Sequence, residues 1–353
     1  MQLPVYAHPT LSVLVDDSDS FLQSLSFQLD PMLASKTFHD ARLALQWLLH
    51  SARRDEVPLH INFDTQNQPA DQCNVALELD RIYRISAQSQ RFAMPSVLVI
   101  DYSMPQMNGL EFCAQIQHLP CKKILFTGAA DEKIAVTAFN RGLIDRYIKK
   151  SDDQALDLLE LEIVALQRAY FTAQSETLRE LLVLHDFRFL GDPQLVVLVE
   201  QLRRTHGFVE HYIFPNPTGI LFLDQHGRAT LMMIETEAGM NAQYEIARDS
   251  DAPPSLLNAL AERRVLPFFS DPNGDGMYAR AIGDNWHRYC AAPQVCEGRE
   301  RYYWALFELP RHYFDGPPYS YAQYLHEASA AAVLATTPTA NPRSDGDAES
   351  RRV

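Results

Sequence analysis

Short β-branched and aliphatic runs, each closing on a group that can do chemistry, constrain this chain more than any other feature. Leu11-Ser-Val-Leu-Val15 closes on Asp16 and Asp17, Val97-Leu-Val-Ile100 on Asp101, and Ile124-Leu-Phe126 on Thr127. Lys150 lies just beyond Tyr147-Ile148. Apolar runs without alternation read as strands buried on both faces, the pattern of a parallel sheet. In such sheets chemistry collects at the carboxyl ends of the strands. The sequence therefore predicts three carboxylates, one hydroxyl and one ammonium along a single edge.

Three crowded carboxylates repel one another unless a cation joins them, and an all-oxygen site suits Mg²⁺. A carboxylate held against Mg²⁺, with a hydroxyl and a lysine beside it, is equipped to attack phosphorus. The metal and the ammonium would neutralise charge on the equatorial oxygens of the transferred group. The expected chemistry is an aspartyl phosphate.

The segment Val97-Leu-Val-Ile-Asp101-Tyr-Ser-Met-Pro105-Gln-Met-Asn-Gly109 resembles the phosphoacceptor stretch of bacterial response-regulator receiver domains, which are CheY-like. So do the pair Asp16-Asp17, the step Thr127-Gly128, and Gly142-Leu-Ile-Asp-Arg-Tyr147-Ile-Lys-Lys150. The resemblance implies Asp101 as phosphoacceptor. It implies Asp17 as a direct Mg²⁺ ligand, Asp16 acting through water, and the backbone carbonyl of Ser103 completing the protein ligands. Thr127 would bond a phosphoryl oxygen, Lys150 would pair with it, and Tyr147 would be the rotating switch aromatic. It also implies a sensor histidine kinase or phosphotransfer protein as partner, and self-catalysed phosphotransfer and autodephosphorylation as the only catalysis.

The chain departs from the family in three places. The interval from Asp17 to Asp101 is much longer than usual, so an insertion is expected at about 51–94. The interval from Asp101 to Thr127 is a few residues short. Ser151 stands where the family usually has a proline after the lysine, and a trans bond is expected there because a non-proline cis bond costs about 3 kcal/mol. Lys149 is a second candidate, and Lys150 is preferred because it keeps the aromatic three positions upstream.

The expected fold is an α/β doubly wound parallel-sheet receiver (flavodoxin-like) with an inserted helix, followed by a long helix and an α+β output domain. The boundaries are 1–151 for the receiver, 152–184 for a signalling helix, 186–334 for the output domain and 335–353 for a disordered tail. Within Asn74–Phe92, Val75, Leu79, Ile82 and Tyr83 follow helical spacing and predict a helix covering its own domain, with an interface for a kinase or a second protomer as the alternative. Leu159, Ile163, Leu166 and Tyr170 alternate steps of four and three, which predicts a coiled-coil type dimer contact, with docking on the output domain as the alternative. Asp192-Pro193 opens a helix that runs to Gly207. A hairpin turns at Asp224-Gln-His-Gly227, helices follow at about 237–248 and 254–264, and strands near 265–269, 277–282 and 301–308.

Composition fits two domains in a cytoplasmic protein. The 353 residues are 46% apolar, no stretch reaches a membrane span, and the N-terminus lacks a basic-then-apolar signal. Five cysteines without zinc-type spacing read as reduced thiols. Net charge is −14, no lysine follows Lys150, and acids outnumber arginines beyond residue 184. That balance argues against nucleic acid as a partner, since DNA affinity rests on Lys and Arg neutralising phosphates. No compact helix-turn-helix is visible. The output is expected to act by protein contact or a phosphorylation-dependent homodimer. An unusual transcription regulator, or an output binding a nucleotide or signal molecule, is the alternative. The plan of a receiver with an insertion and a non-helix-turn-helix output is similar to the Legionella quorum-sensing type of response regulator.

Asp271-Pro-Asn-Gly-Asp275-Gly276 matches the start of an EF-hand loop, but Ile282 stands where the bidentate Glu belongs, so a hairpin turn is expected. His206, His211, His226, His287 and His312 lack metal-ligand spacing. Trp286, Tyr289, Tyr302, Tyr303 and Trp304 are expected to be core, with a small-molecule pocket as the alternative.

Overall fold

The computed structural model describes residues 2–51, 61–63, 75–128, 132–184, 187–270, 278 and 280–336. In chain order the first half holds β1 (Tyr6–Ala7), β2 (Leu11–Val15), α1 (Asp19–Gln28), β3 (Ser35–Phe38), α2 (Ala41–Ser51), β4 (Ile61–Phe63) and β5 (Val75–Leu77). There follow α3 (Asp80–Arg84), β6 (Pro95–Ile100), α4 (Gly109–Gln115), β7 (Lys122–Thr127), α5 (Glu132–Asn140), β8 (Arg146–Lys149), α6 (Ala155–Gln174) and α7 (Glu176–Val183).

The strands β3-β2-β6-β7-β8 form a five-stranded sheet in that order, all neighbours parallel. Every residue of β2 and β6 is buried, as expected of strands covered on both faces. One face packs on α1 and α6 through Leu22, Leu25, Leu159, Ile163 and Leu166. The other packs on α2, α4 and α5 through Ala44, Leu48, Phe112 and Ala138. This is the doubly wound arrangement of a receiver.

The second half holds α8 (Pro193–His206), β9 (Phe208–Pro215), β10 (Thr218–Asp224), β11 (Ala229–Thr236), α9 (Glu237–Asp249), α10 (Pro254–Ala261) and β12 (Leu266–Pro267). The chain continues through β13 (Cys290–Ala291), β14 (Gln294–Glu297), β15 (Arg301–Glu308) and α11 (Tyr321–Thr336). Asp192 caps α8 by accepting from Gln194 N–H, and Gly207 ends it in the left-handed region at φ 66°. An antiparallel sheet runs in the order β1-β9-β10-β11-β15-β14.

Four expectations change. The stripe Leu159, Ile163, Leu166 and Tyr170 is at most 3% exposed within the chain, so it is not a dimer seam. Its first three residues cover one face of the parallel sheet and Tyr170 joins the core of the antiparallel one. Four-three spacing marks a buried stripe without saying who supplies the other side. The helix expected across Asn74–Phe92 is instead β5, the short α3 and two 3₁₀ turns. Its Ile82 and Tyr83 pack into the antiparallel sheet's core, not the receiver's. Residues 280–282 are not a strand: Arg280–Tyr289 is a pair of 3₁₀ segments kinked at Gly283, whose φ is 51°. The EF-hand-like stretch lies outside the described residues. The aromatics Trp286, Tyr302, Tyr303 and Trp304 are buried core, while Tyr289 is half-buried.

Elements cross the expected boundaries at 151 and 186 in both directions. Strand β1 adds an edge to the antiparallel sheet, with Tyr6 opposite Tyr212 and Ala7 opposite His211. Conversely, Tyr321 of α11 sits in the receiver's core beside Phe92. Between the halves, Arg91, just before β6, makes two 2.8 Å bonds to the Glu210 carboxylate, to which Tyr212 donates its hydroxyl at 2.6 Å. Arg91 also reaches the Tyr319 carbonyl at 2.6 Å. Among the described residues no helix is long and apolar enough to cross a membrane.

Candidate functional site

Parallel register sets the site. Val15 lies opposite Ile100, Ile100 opposite Leu125, and Thr127 opposite Lys149. The next residues, Asp16, Asp101 and Lys150, therefore leave the sheet at the same edge. The Asp101 N–H donates to the Val15 carbonyl at 2.9 Å, and the Lys150 N–H to the Thr127 carbonyl at 3.1 Å. These bonds extend the ladder to the reactive residues themselves.

Asp16 and Asp101 are 4% and 6% exposed. Lys150 Nζ donates to Asp101 Oδ1 at 2.7 Å and to Asp16 Oδ2. The remaining oxygen of each carboxylate accepts a backbone N–H two residues on. Ser18 donates to Asp16 Oδ1 at 2.9 Å, and Ser103 to Asp101 Oδ2 at 2.6 Å. Two near-buried acids thus share one ammonium, and a charge of −1 remains on the pair.

Local sequence explains how these groups are held. Ser18 caps α1, and Asn108 caps α4 in a reciprocal capping box with Glu111. The first residue of α4 must be glycine, because a Cβ at Gly109 would stand 2.3 Å from the Asp101 carbonyl oxygen. Gly128 carries no such demand, since a Cβ there would meet nothing within 4 Å. The loop between Asp101 and Gly109 bends through Gln106 at φ 71°, a left-handed conformation uncommon outside glycine.

The structure brings Asp16, Asp101, Ser103 and Lys150 together. Thr127 is 1% exposed at the end of β7. Asp17 follows Asp16 as an exposed residue, and Tyr147 is half-buried against the second receiver face. Lys150 bonds both acids, and Lys149 is exposed on the strand. The single cis peptide among the described residues is Asn216–Pro217, so the Lys150–Ser151 bond is trans. Phe21 was not legible as part of the site. Its ring centre lies 4.2 Å from Lys150 Nζ, and the only signal for it was an aromatic one helical turn after the acidic pair.

Among the described residues no three acidic, histidine or cysteine side chains are gathered as a metal site. The donor set nonetheless fits Mg²⁺. It is all oxygen, and the bonded pair retains a negative charge with a third carboxylate, Asp17, next to it in sequence. Mg²⁺ is commonly bound through one or two carboxylates and keeps several waters.

A doubly wound sheet with an acid pair, a strand-end aspartate and a lysine at its carboxyl edge defines the receiver class of signalling domain. A family model described as the response regulator receiver domain matches residues 68–159. That match leaves out Asp16 and Asp17, and the fold joins Asp16 to Asp101 through Lys150.

Over nearly its whole length the chain is similar to the Legionella pneumophila response regulator LqsR. Identity is 32%, covering 93% of this chain and 97% of that one, with a TM-score of 0.74. The chain belongs to the response-regulator family of two-component signalling proteins. It is also similar to the receiver domain of an HD domain-containing protein from Pseudomonas fluorescens Pf-5, at 24% identity, 46% and 98% coverage and a TM-score of 0.30.

Proposed function

We propose that this response regulator is switched by phosphorylation of Asp101, received from a sensor histidine kinase or phosphotransfer protein in the cytoplasm. The observation that carries the reading is the Lys150 ammonium joined to both Asp16 and Asp101 at the sheet's carboxyl edge. A lysine bonded to a free carboxylate is already where a phosphoryl oxygen on that carboxylate would need a counter-charge.

Asp16, Asp17, Asp101 and the Ser103 carbonyl would hold Mg²⁺, which supplies further positive charge to the transferred group. Lys150 pairs with one phosphoryl oxygen and Thr127 donates its hydroxyl to another. Drawing Thr127 toward Asp101 makes room for Tyr147 to turn inward. This biases a two-state equilibrium instead of creating a new state. The output then acts through protein contact or between two copies. The stripe Leu159, Ile163 and Leu166 cannot supply that contact because the receiver sheet already covers it. Leu158, Leu161 and Val164 on the outer face of α6 are 38%, 67% and 39% exposed and remain available.

Fluorine NMR with BeF₃⁻ and Mg²⁺ tests this reading. Wild type should give a bound-fluoride signal that Asp101→Asn lacks. A bound signal of equal size in Asp101→Asn would place the acceptor elsewhere.

A further inference from the structure

The Lys150 ammonium has neighbours of two kinds. The two carboxylates of Asp16 and Asp101 lie within bonding distance, and two aromatic rings stand near it. The Phe21 ring centre is 4.2 Å from Nζ and that of Phe126 is 6.0 Å away, the two rings standing 6.1 Å apart. Phe21 is held there by its helix. Its N–H donates to the Ser18 cap at 3.3 Å, while Leu22 and Leu25 are buried against the sheet.

An aromatic face attracts an ammonium, more so where water is partly excluded. A lysine head is a compact, strongly hydrated charge on a flexible four-carbon stem. Two carboxylates attract it without fixing the direction from which it approaches, and a ring behind it does.

We propose that Phe21 is a positioning residue for Lys150, holding its ammonium over the Asp16–Asp101 pair and thereby setting how fast Asp101 takes up a phosphoryl group. The inference rests on the phosphoacceptor reading and extends it. With acetyl phosphate as donor and Mg²⁺ present, an Asp101 oxygen forms a bond to phosphorus. The donor's P–O bond breaks and acetate leaves with the electron pair. Negative charge is spread over the three equatorial oxygens during that exchange, so a counter-charge already in place lowers the barrier. Phe21 touches neither phosphorus nor the leaving group and acts only through Lys150.

Two measurements test it. In metal-free protein with ¹³C-labelled lysine, the Lys150 ε-methylene should be shifted upfield by the ring, a shift lost in Phe21→Leu and kept in Phe21→Tyr. Loading by acetyl phosphate and Mg²⁺ should slow roughly threefold to tenfold in Phe21→Leu and stay within about twofold in Phe21→Tyr. Phe21 is only half-buried, so both variants should fold. An unchanged Lys150 resonance in Phe21→Leu, or loading at the wild-type rate, overturns the proposal. A wild type that takes up no phosphoryl group overturns the phosphoacceptor reading and with it the effect on transfer. The metal-free resonance then decides the placement of Lys150 independently.

Discussion

Tyr321 is 1% exposed and donates its hydroxyl to the carbonyl of Met32 at 2.6 Å, tying the C-terminal helix to the turn after α1. The same oxygen accepts from the Ala34 N–H at 3.2 Å, and the ring packs 5.0 Å from Phe92. A residue near the far end of the described chain thus completes the receiver's core, while β1 completes the antiparallel sheet.

Tyr321→Ala should therefore destabilise the whole protein. Removing a buried aromatic costs about 3–5 kcal/mol, and here two backbone groups also lose a partner. Urea unfolding followed by far-UV circular dichroism and by intrinsic fluorescence should give one coincident transition in both proteins, moved to lower urea in the variant. Two separate transitions in wild type would show that the halves fold independently.

Arg91 and Glu210 are 2% and 0% exposed in their side chains, so each neutralises a charge buried away from water. Arg91→Met should cost about 3–5 kcal/mol, because it leaves a buried carboxylate without its partner. Adding Glu210→Gln should recover part of that loss. Strict additivity of the two substitutions in a double-mutant cycle would mean that they do not act as a pair.

Much of this was legible in the sequence, for identifiable reasons. Strand-end residues announce themselves when unbroken apolar runs stop, as at Asp16, Asp101 and Thr127. The α8 helix was readable from its cap Asp192, Pro193 and terminal Gly207. What stayed hidden was pairing at a distance. Nothing local to Tyr6-Ala7 says that it is an edge strand for residues two hundred positions away. Nor does Ile82-Tyr83 name the sheet on which it packs. The stripe of α6 was visible as a stripe, but an apolar face looks the same whether its partner is another copy or the chain's own sheet.

Burial sets the pH response of the junction. His8 and His211 lie wholly inside, and desolvation lowers both to a pKa of about 3, with nearby arginines adding to the effect. Arg91 and His211 face His8, and Arg203 and Arg168 face His211. The unfolded chain binds protons at these histidines below their usual pKa of about 6.5 while the folded chain does not. Stability should be full above that value and fall progressively as pH drops toward 3. The loss should be shallower in His8→Gln, as measured by thermal unfolding across that range. Equal slopes in the two proteins would mean that His8 accepts a proton while folded.

Lys150 bonds two of the carboxylates that would hold Mg²⁺ under the proposed function. Lys150→Ala should therefore bind Mg²⁺ severalfold more tightly than wild type in isothermal titration, since a neighbouring positive charge is removed. The same variant should accept phosphate poorly, as the counter-charge for the transferred group is gone. Weaker Mg²⁺ binding in Lys150→Ala would show that the ammonium and the metal do not share the acid pair.

Tandem mass spectrometry after incubation with acetyl phosphate and Mg²⁺ tests the central claim most directly. The account predicts one phosphoryl group, labile to base and to hydroxylamine, on the peptide containing Asp101, absent without Mg²⁺ and absent in Asp101→Asn. Modification of any other residue in wild type, or undiminished modification of Asp101→Asn, would contradict it.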